Sequence, residues 1–199
     1  MAVYTRINHN DLSLIERSFK IGKILSFSGI KKGIENTNYL IRTKNKKIIL
    51  TIFEKRVQKK DLPFFMELMF GLSRQKIKCP EPIKNKKGKY LFTIKNKTAC
   101  LVSFLEGKDK INLTNKDCYV VGKNAALLHL AAKKLRLYRK NSLSVNSWGS
   151  LLNRIDKRIN KLSGDLINIM KNDLFDIKKK WPKSMPDGII PVSYTHLTL

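Results

Sequence analysis

Apolar positions fall into two regimes along the chain. Between residues 21 and 105 they gather in short runs broken by Gly, Asn, Lys and Pro; beyond Gly107 they recur at helical spacing. The first regime predicts strands over 21–28, 36–42 and 47–53, with Lys44-Asn45-Lys46 turning between the second and third. Strand 47–53 alternates poorly, since Ile48, Ile49, Leu50, Ile52 and Phe53 are all apolar, so it is expected at the sheet centre, buried on both faces. Strands 90–94 and 98–105 form a hairpin turning at Lys95-Asn96-Lys97. Asn10 is placed to cap a helix over 11–19 with Leu12, Ile15 and Phe19 on one face. Asp61 is placed to cap a second helix, with Pro63 in its first turn and a stripe of Phe65, Met66, Met69 and Leu72. In the second regime Thr114-Asn-Lys-Asp117 opens a helix as a capping box with Asp where Glu or Gln is usual. Val120, Val121, Ala125, Leu127, Leu128 and Leu130 continue it through about Lys134. Helices 147–162 and 165–181 are separated by Gly164 and ended by Pro182 and Pro186. The expected class is α+β: an antiparallel sheet with one inserted helix over 1–105, then a helical section over 106–190.

Composition narrows the class without naming a function. A length of 199 residues with 42% hydrophobic content suits a folded core and not a disordered chain. No apolar run approaches the ~20 residues of a membrane span. The N-terminus has no apolar signal segment and carries Asp11 and Glu16 early, so a cytoplasmic protein is expected. Cys79, Cys100 and Cys118 are odd in number and scattered, which reads as reduced, partly buried thiols. The net charge of +26 would fit a nucleic-acid partner, but the lysines are spread through every segment and form no compact basic arm. A basic nucleic-acid-binding protein is the alternative class, and salt-dependent retention on DNA or RNA would favour it.

One stretch carries chemistry. The first strand runs into Gly29-Ile-Lys-Lys-Gly33, so Lys31 and Lys32 lie between two glycines at a hairpin tip. Free amides and positive charge together suit a cover for phosphates, with an ordinary surface hairpin as the competing reading. His9 and His196 have no partners at ligand spacing, which argues against a protein-held zinc.

The residues from the second glycine onward resemble a known family. Gly33-Ile-Glu-Asn36-Thr-Asn-Tyr39 matches the G-x-x-N-x-x-Y of the nucleotide loop in the aminoglycoside phosphotransferase-like (protein-kinase-like) superfamily. The runs SFSGIKKGIENTNYLIRT, IILTIFEKRV, DLPFFMELMFGL, ACLVSFLEG and VGKNAALLHLA, in that order, are similar to its homoserine kinase branch over roughly residues 1 to 190. The resemblance implies a bilobal kinase-like fold: a complete sheet lobe and the opening helices of an incomplete helical lobe. It implies ATP with Mg²⁺ and transfer to the hydroxyl of L-homoserine, on the route to threonine. A related kinase acting on choline, an aminoglycoside or another amino alcohol stays open.

The resemblance also assigns residues. Family members carry a lysine on the third strand for the α- and β-phosphates. That position is Thr51 here, which cannot supply a cation. Alternation puts Lys47, Ile49, Thr51, Phe53 and Lys55 on one face, with Lys55 about 7 Å beyond Thr51. Lys55 is therefore the candidate substitute, against the reading of a solvated lysine; the homoserine kinase pattern also reads L-T-I/L-F/Y-E-K there. Glu67 stands where a kinase places the glutamate that orients this lysine. Ser103, Phe104 and Leu105 would offer backbone groups to adenine, or serve as strand core. His129, in the family's L-H pair, is expected as a satisfied core histidine supporting the catalytic loop. After Ile190 the family continues with H-x-D-x-x-x-x-N and a later metal-holding aspartate. Here residues 191–199 read Pro-Val-Ser-Tyr-Thr-His-Leu-Thr-Leu, without a charge, in a chain that is 28% charged. That tail looks like translated sequencing-adapter read-through. It is expected to be non-native, leaving the chain without the catalytic carboxylates and magnesium ligands.

Overall fold

The computed structural model describes residues 3–31, 35–54, 57–107, 110–159 and 165–190, and the side chains of all of these except 156–159. The strands are β1 (Ile24–Gly29), β2 (Thr37–Thr43), β3 (Lys47–Ile52), β4 (Leu91–Ile94) and β5 (Lys97–Ser103). The helices are α1 (His9–Ser18), α2 (Leu62–Arg74), α3 (Asn115–Lys134), α4 (Val145–Ile159) and α5 (Leu166–Lys180), with a 3₁₀ turn at Lys59–Asp61 leading into α2. All strand pairs are antiparallel, in the order β1-β2-β3-β5-β4. The α+β class and the central place of β3 are as the sequence suggests.

Burial on β3 is less symmetric than expected. Ile48, Leu50 and Ile52 are at most 1% exposed and share a core with Tyr39 and Ile41 of β2, Ala99 and Leu101 of β5, and Leu12, Ile15 and Phe19 at α1. On the opposite face Lys47 is exposed, and Ile49 and Thr51 are half-buried. The apolar run hides this because Ile49 and Phe53 do have partners, the cluster of Met66, Cys100 and Val102 under α2. Leu62 joins Met66 and Leu72 as a buried residue of α2, while Phe65 and Met69 are only half-buried. Asp61 holds the N-cap position, but its side chain makes no capping bond.

Local signals shift three boundaries. The cap of α1 is Asn8, not Asn10: Asn8 Oδ1 accepts the Asp11 N–H at 3.1 Å and Asp11 Oδ2 accepts the Asn8 N–H at 2.8 Å. The β4–β5 turn holds two residues, Lys95 (φ 49°) and Asn96 (φ 58°), so Lys97 is already strand. The pairing of β1 with β2 shifts between Ile24 and Ser26, leaving a bulge at Leu25.

One compact unit holds the sheet, α1, α2, α3 and the described residues after Asp187. In it the Thr114–Asp117 box opens α3, with Thr114 Oγ1 accepting the Asp117 N–H at 3.3 Å and Asp117 Oδ2 accepting the Thr114 N–H at 2.8 Å. The α2–α3 contact is built from Leu72, Ala131 and Ala132 with Leu68, Leu128 and Leu135. The helices approach closely enough that a Cβ on Gly71 would lie 2.6 Å from Leu135 Cδ2. Since α3 buries only this narrow stripe, His129 is exposed, contrary to the core placement expected, as are Leu127 and Leu130. The second unit, Tyr138–Asp187, holds α4 and α5. Here the Trp148 and Trp181 rings meet edge to face at 5.2 Å, and Trp148 Nε1 donates to the Leu143 carbonyl at 2.9 Å.

Candidate functional site

Strand alternation gives the sheet one sealed face and one half-open face. On the half-open face stand Ser26 and Ser28 of β1, Asn38, Leu40 and Arg42 of β2, and Lys47, Ile49 and Thr51 of β3. Helix α2 packs on this face through Met66, which clusters with Cys100 and Val102 of β5, with Leu91, Ile49 and Phe53 beside it. Leu40 and Ile49 pair across β2 and β3, so an apolar floor continues from that cluster toward β2. Next to it Thr51 Oγ1 donates to Asn38 Oδ1 at 2.8 Å. That bond leaves the two amide hydrogens of Asn38 for another acceptor.

The Ile30 N–H donates to the Asn38 carbonyl at 2.8 Å, so pairing continues past Gly29, and Lys31 is exposed. A Cβ on Gly29 would come 2.8 Å from Val3 Cγ2, so what approaches this glycine is the chain's own N-terminal segment. Lys32, Gly33 and Lys55 lie outside the described residues. Glu67 is exposed on α2. Asn36 Oδ1 accepts the Glu54 N–H at 3.4 Å.

Where the chain leaves β5, two of the three backbone positions considered for adenine are occupied. The Ser103 N–H donates to the Glu81 carbonyl at 2.8 Å, and its Oγ accepts the Glu81 N–H at 2.8 Å. The Phe104 N–H donates to the Lys47 carbonyl at 3.3 Å. Leu105 makes no backbone hydrogen bond among the described residues. Lys47 Nζ lies 5.3 Å from the centre of the Phe104 ring and 2.5 Å from Glu106 Oε1. A groove of about 510 Å³ opens there, between Leu25, Arg42, Lys47 and Phe104.

Glu54, at the far end of β3, anchors a polar cluster that sequence reasoning does not reveal. Its Oε1 accepts from Thr5 Oγ1 and Thr37 Oγ1, both at 2.7 Å, and its Oε2 pairs with Lys97 Nζ. Burial pushes its pKa up, but the hydrogen bonds from Lys97, Thr37 and Thr5 and the charge of Lys97 outweigh that and hold it below the ordinary carboxylate value. Asn38 is likewise absent from the sequence-based candidates, which include Asn36 instead. Its signal is present in the chain, because a core-facing Tyr39 places Asn38 and Leu40 on the other side of the strand.

Cys118 is exposed, Cys79 half-buried and Cys100 buried, and all three are free. Burial pushes the Cys100 thiol up to about 12; burial, with Glu81 nearby, pushes Cys79 up to about 11. Neither supplies a thiolate at neutral pH. Among the described residues there is no group of three or more His, Cys, Asp or Glu side chains that could hold a metal ion. No helix among them is long and apolar enough to cross a membrane. The half-open face can hold a flat apolar group on Leu40 and Ile49 and an anion near Lys31. The described carboxylates near it, Glu106 paired with Lys47 and Glu67 on α2, are both exposed.

Comparison with known proteins bears on the family and the fold. The chain is 38% identical over 190 residues to the homoserine kinase of Rhizobium etli, covering 96% of the chain and 59% of that protein. It is 40% identical over the same length to the homoserine kinase of Allorhizobium ampelinum, with the same coverage. The chain thus spans about three-fifths of these relatives. Among solved structures it resembles a spectinomycin phosphotransferase in complex with ADP and spectinomycin, at TM-score 0.61 and 16% identity over 92% of the chain and 60% of that protein. It also resembles a microcompartment-associated aminopropanol kinase, at TM-score 0.54 and 15% identity over 76% of the chain and 55% of that protein. These two show a shared kinase-like fold. The model of the phosphotransferase enzyme family (APH) matches residues 26–183, and the chain belongs to that family.

Proposed function

We propose that the chain is the nucleotide-binding part of a homoserine kinase that moves the γ-phosphoryl group of ATP to the hydroxyl of L-homoserine. The observation that carries this reading is the likeness to homoserine kinases at 37–40% identity running through 190 residues. The half-open face supports it: Leu40 and Ile49 would form a floor for adenine, Leu105 makes no backbone hydrogen bond among the described residues and could serve its polar edge, and Lys31 is exposed for the phosphates. Thr51, in the strand position of the usual lysine, is tied to Asn38, so neutralising the phosphates falls to Lys31, Lys32 and Lys55. The resemblance gives Glu67, exposed on α2, the role of orienting the phosphate-binding lysine.

In the transfer the homoserine oxygen forms a bond to the γ-phosphorus and the bridging oxygen–phosphorus bond breaks, with ADP leaving. The hydroxyl proton needs a base, and the described carboxylates near this face, Glu106 and Glu67, are solvent-exposed, with Glu106 paired to Lys47. The 199-residue chain is therefore expected to bind ATP without homoserine-dependent ADP release. Titration with ATP, followed by intrinsic fluorescence and amide exchange, should show saturable binding that protects the Ile30 amide. Absence of binding would overturn the assignment of the face, and turnover by this chain alone would overturn the division of labour.

A further inference from the structure

We infer that Val3, Tyr4 and Thr5 form a strap that fixes the glycine hairpin at both of its ends, and that Glu54 is the positioning residue that latches the strap down. Strand β1 ends at Gly29 and β2 begins at Thr37, and the N-terminal segment touches both points. Val3 fills the space at Gly29 where a side chain would project. The N–H groups of Tyr4 and Thr5 donate to Thr37 Oγ1 at 2.9 and 3.1 Å. Thr37 is fully buried and Thr5 nearly so, and the latter's carbonyl accepts from Tyr39 OH at 2.9 Å.

Glu54 closes this arrangement from below. Its carboxylate accepts from the hydroxyls of Thr5 and Thr37, one on the strap and one on the hairpin, and Lys97 Nζ binds both Glu54 and, at 2.8 Å, Thr5 Oγ1. The Glu54 side chain is only 8% exposed, so these bonds are shielded from competing water. Its own N–H reaches Asn36 Oδ1, the last residue before β2. One residue thus ties strap, hairpin, β3 and β5 together, immediately before Lys55 in the chain. Amides at a hairpin tip can meet phosphates only if the hairpin base is fixed, and this cluster fixes it. The effect on ATP rests on the function proposed above; the mechanical claim does not.

The test uses the full chain and two readouts. Without nucleotide, amide exchange is followed by NMR at Tyr4, Thr5 and Ile30, with Ile41 and Leu50 as references inside the sheet. Glu54→Gln and Thr37→Val should each speed exchange at the first three by about tenfold or more, the loss of a buried charge-assisted or hydroxyl hydrogen bond, and leave the references unchanged. Thr37→Ser, which keeps the hydroxyl, should behave as wild type. In an ATP titration, Glu54→Gln and Thr37→Val should weaken binding by about tenfold and Thr37→Ser should not. Unchanged exchange in folded Glu54→Gln and Thr37→Val, or equal acceleration at the references, overturns the strap. Should those variants fail to fold, Val3→Ala must speed Ile30 without moving the references, and failure there also overturns it. If the exchange results hold while wild type binds no ATP, the strap stands and the nucleotide reading falls.

Discussion

The two faces of β3 should respond unequally to the same truncation. Leu50 is fully buried on the sealed face, between Tyr39 of β2 and Leu101 of β5. Leu50→Ala removes three carbons, about 2.4 kcal/mol of transfer energy at ~0.8 kcal/mol each. Its neighbours are held by ladders on both sides and cannot close the gap, so the total should reach about 3–4 kcal/mol. Ile49, half-buried on the other face, loses fewer contacts in Ile49→Ala, and about 1–1.5 kcal/mol is expected. With a urea slope of about 2 kcal/mol/M, the midpoint should fall by about 1.5–2 M for Leu50→Ala and about 0.5–0.7 M for Ile49→Ala, the slope itself being unchanged. Where both variants are folded, Ile49→Ala should weaken ATP binding and Leu50→Ala should not. Equal midpoint shifts, or an ATP defect confined to Leu50→Ala, would refute the assignment of sealed and open faces.

Three further outcomes are expected. Gly71→Ala should destabilise by about 1 kcal/mol in urea titration, since its Cβ would meet Leu135 and the overlap exceeds the gain in helix propensity; in a Leu135→Ala background the same change should turn stabilising, and additive effects would contradict the close approach. At pH 8 a thiol reagent should label Cys118 quickly in the native chain, with Cys79 and Cys100 reacting only on unfolding; a fast reaction persisting in Cys118→Ser would be the contrary result. Glu54 has a folded pKa below its ordinary value of 4.5, so its ionised form adds stability above that pH, and the contribution is lost as pH falls through the folded value. The difference in urea midpoint between wild type and Glu54→Gln should accordingly be full at pH 7 and shrink below about pH 4.5, whereas a constant difference would disprove the link.

Much of the sheet is legible in the sequence because strand patterns are local. The apolar run at Ile48 to Phe53 places β3 at the centre, and Lys95-Asn96-Lys97 marks a turn without a glycine. The misses share a cause. Asn8 and Asn10 are equally good caps as residue types, and the partner that decides between them, Asp11, is the less usual acid for that motif. His129, Leu127 and Leu130 repeat at helical spacing, yet which stripe of α3 is buried depends on where α2 lies against it. Glu54 and Lys97 are 43 residues apart, so no window of sequence reveals that they pair. Gly29 suggests room for a ligand, yet its immediate neighbour is Val3, brought there by the fold. Family likeness points to residues 29–39 as a candidate nucleotide loop. Alternation around the buried Tyr39 is what singles out Asn38 and Leu40 on its open side.

The bulge at Leu25 has a consequence for how the molecule behaves among its own copies. β1 forms one margin of the sheet, and a break in its regular pairing bends the row of amides and carbonyls that a second polypeptide would need in line. The opposite margin, β4, is four residues long and gives little purchase. Among the described residues neither border offers a long, straight template for strand-by-strand stacking, so self-association in concentrated solution is expected through exposed apolar side chains such as Leu127 and Leu130, and mild detergent should reverse it.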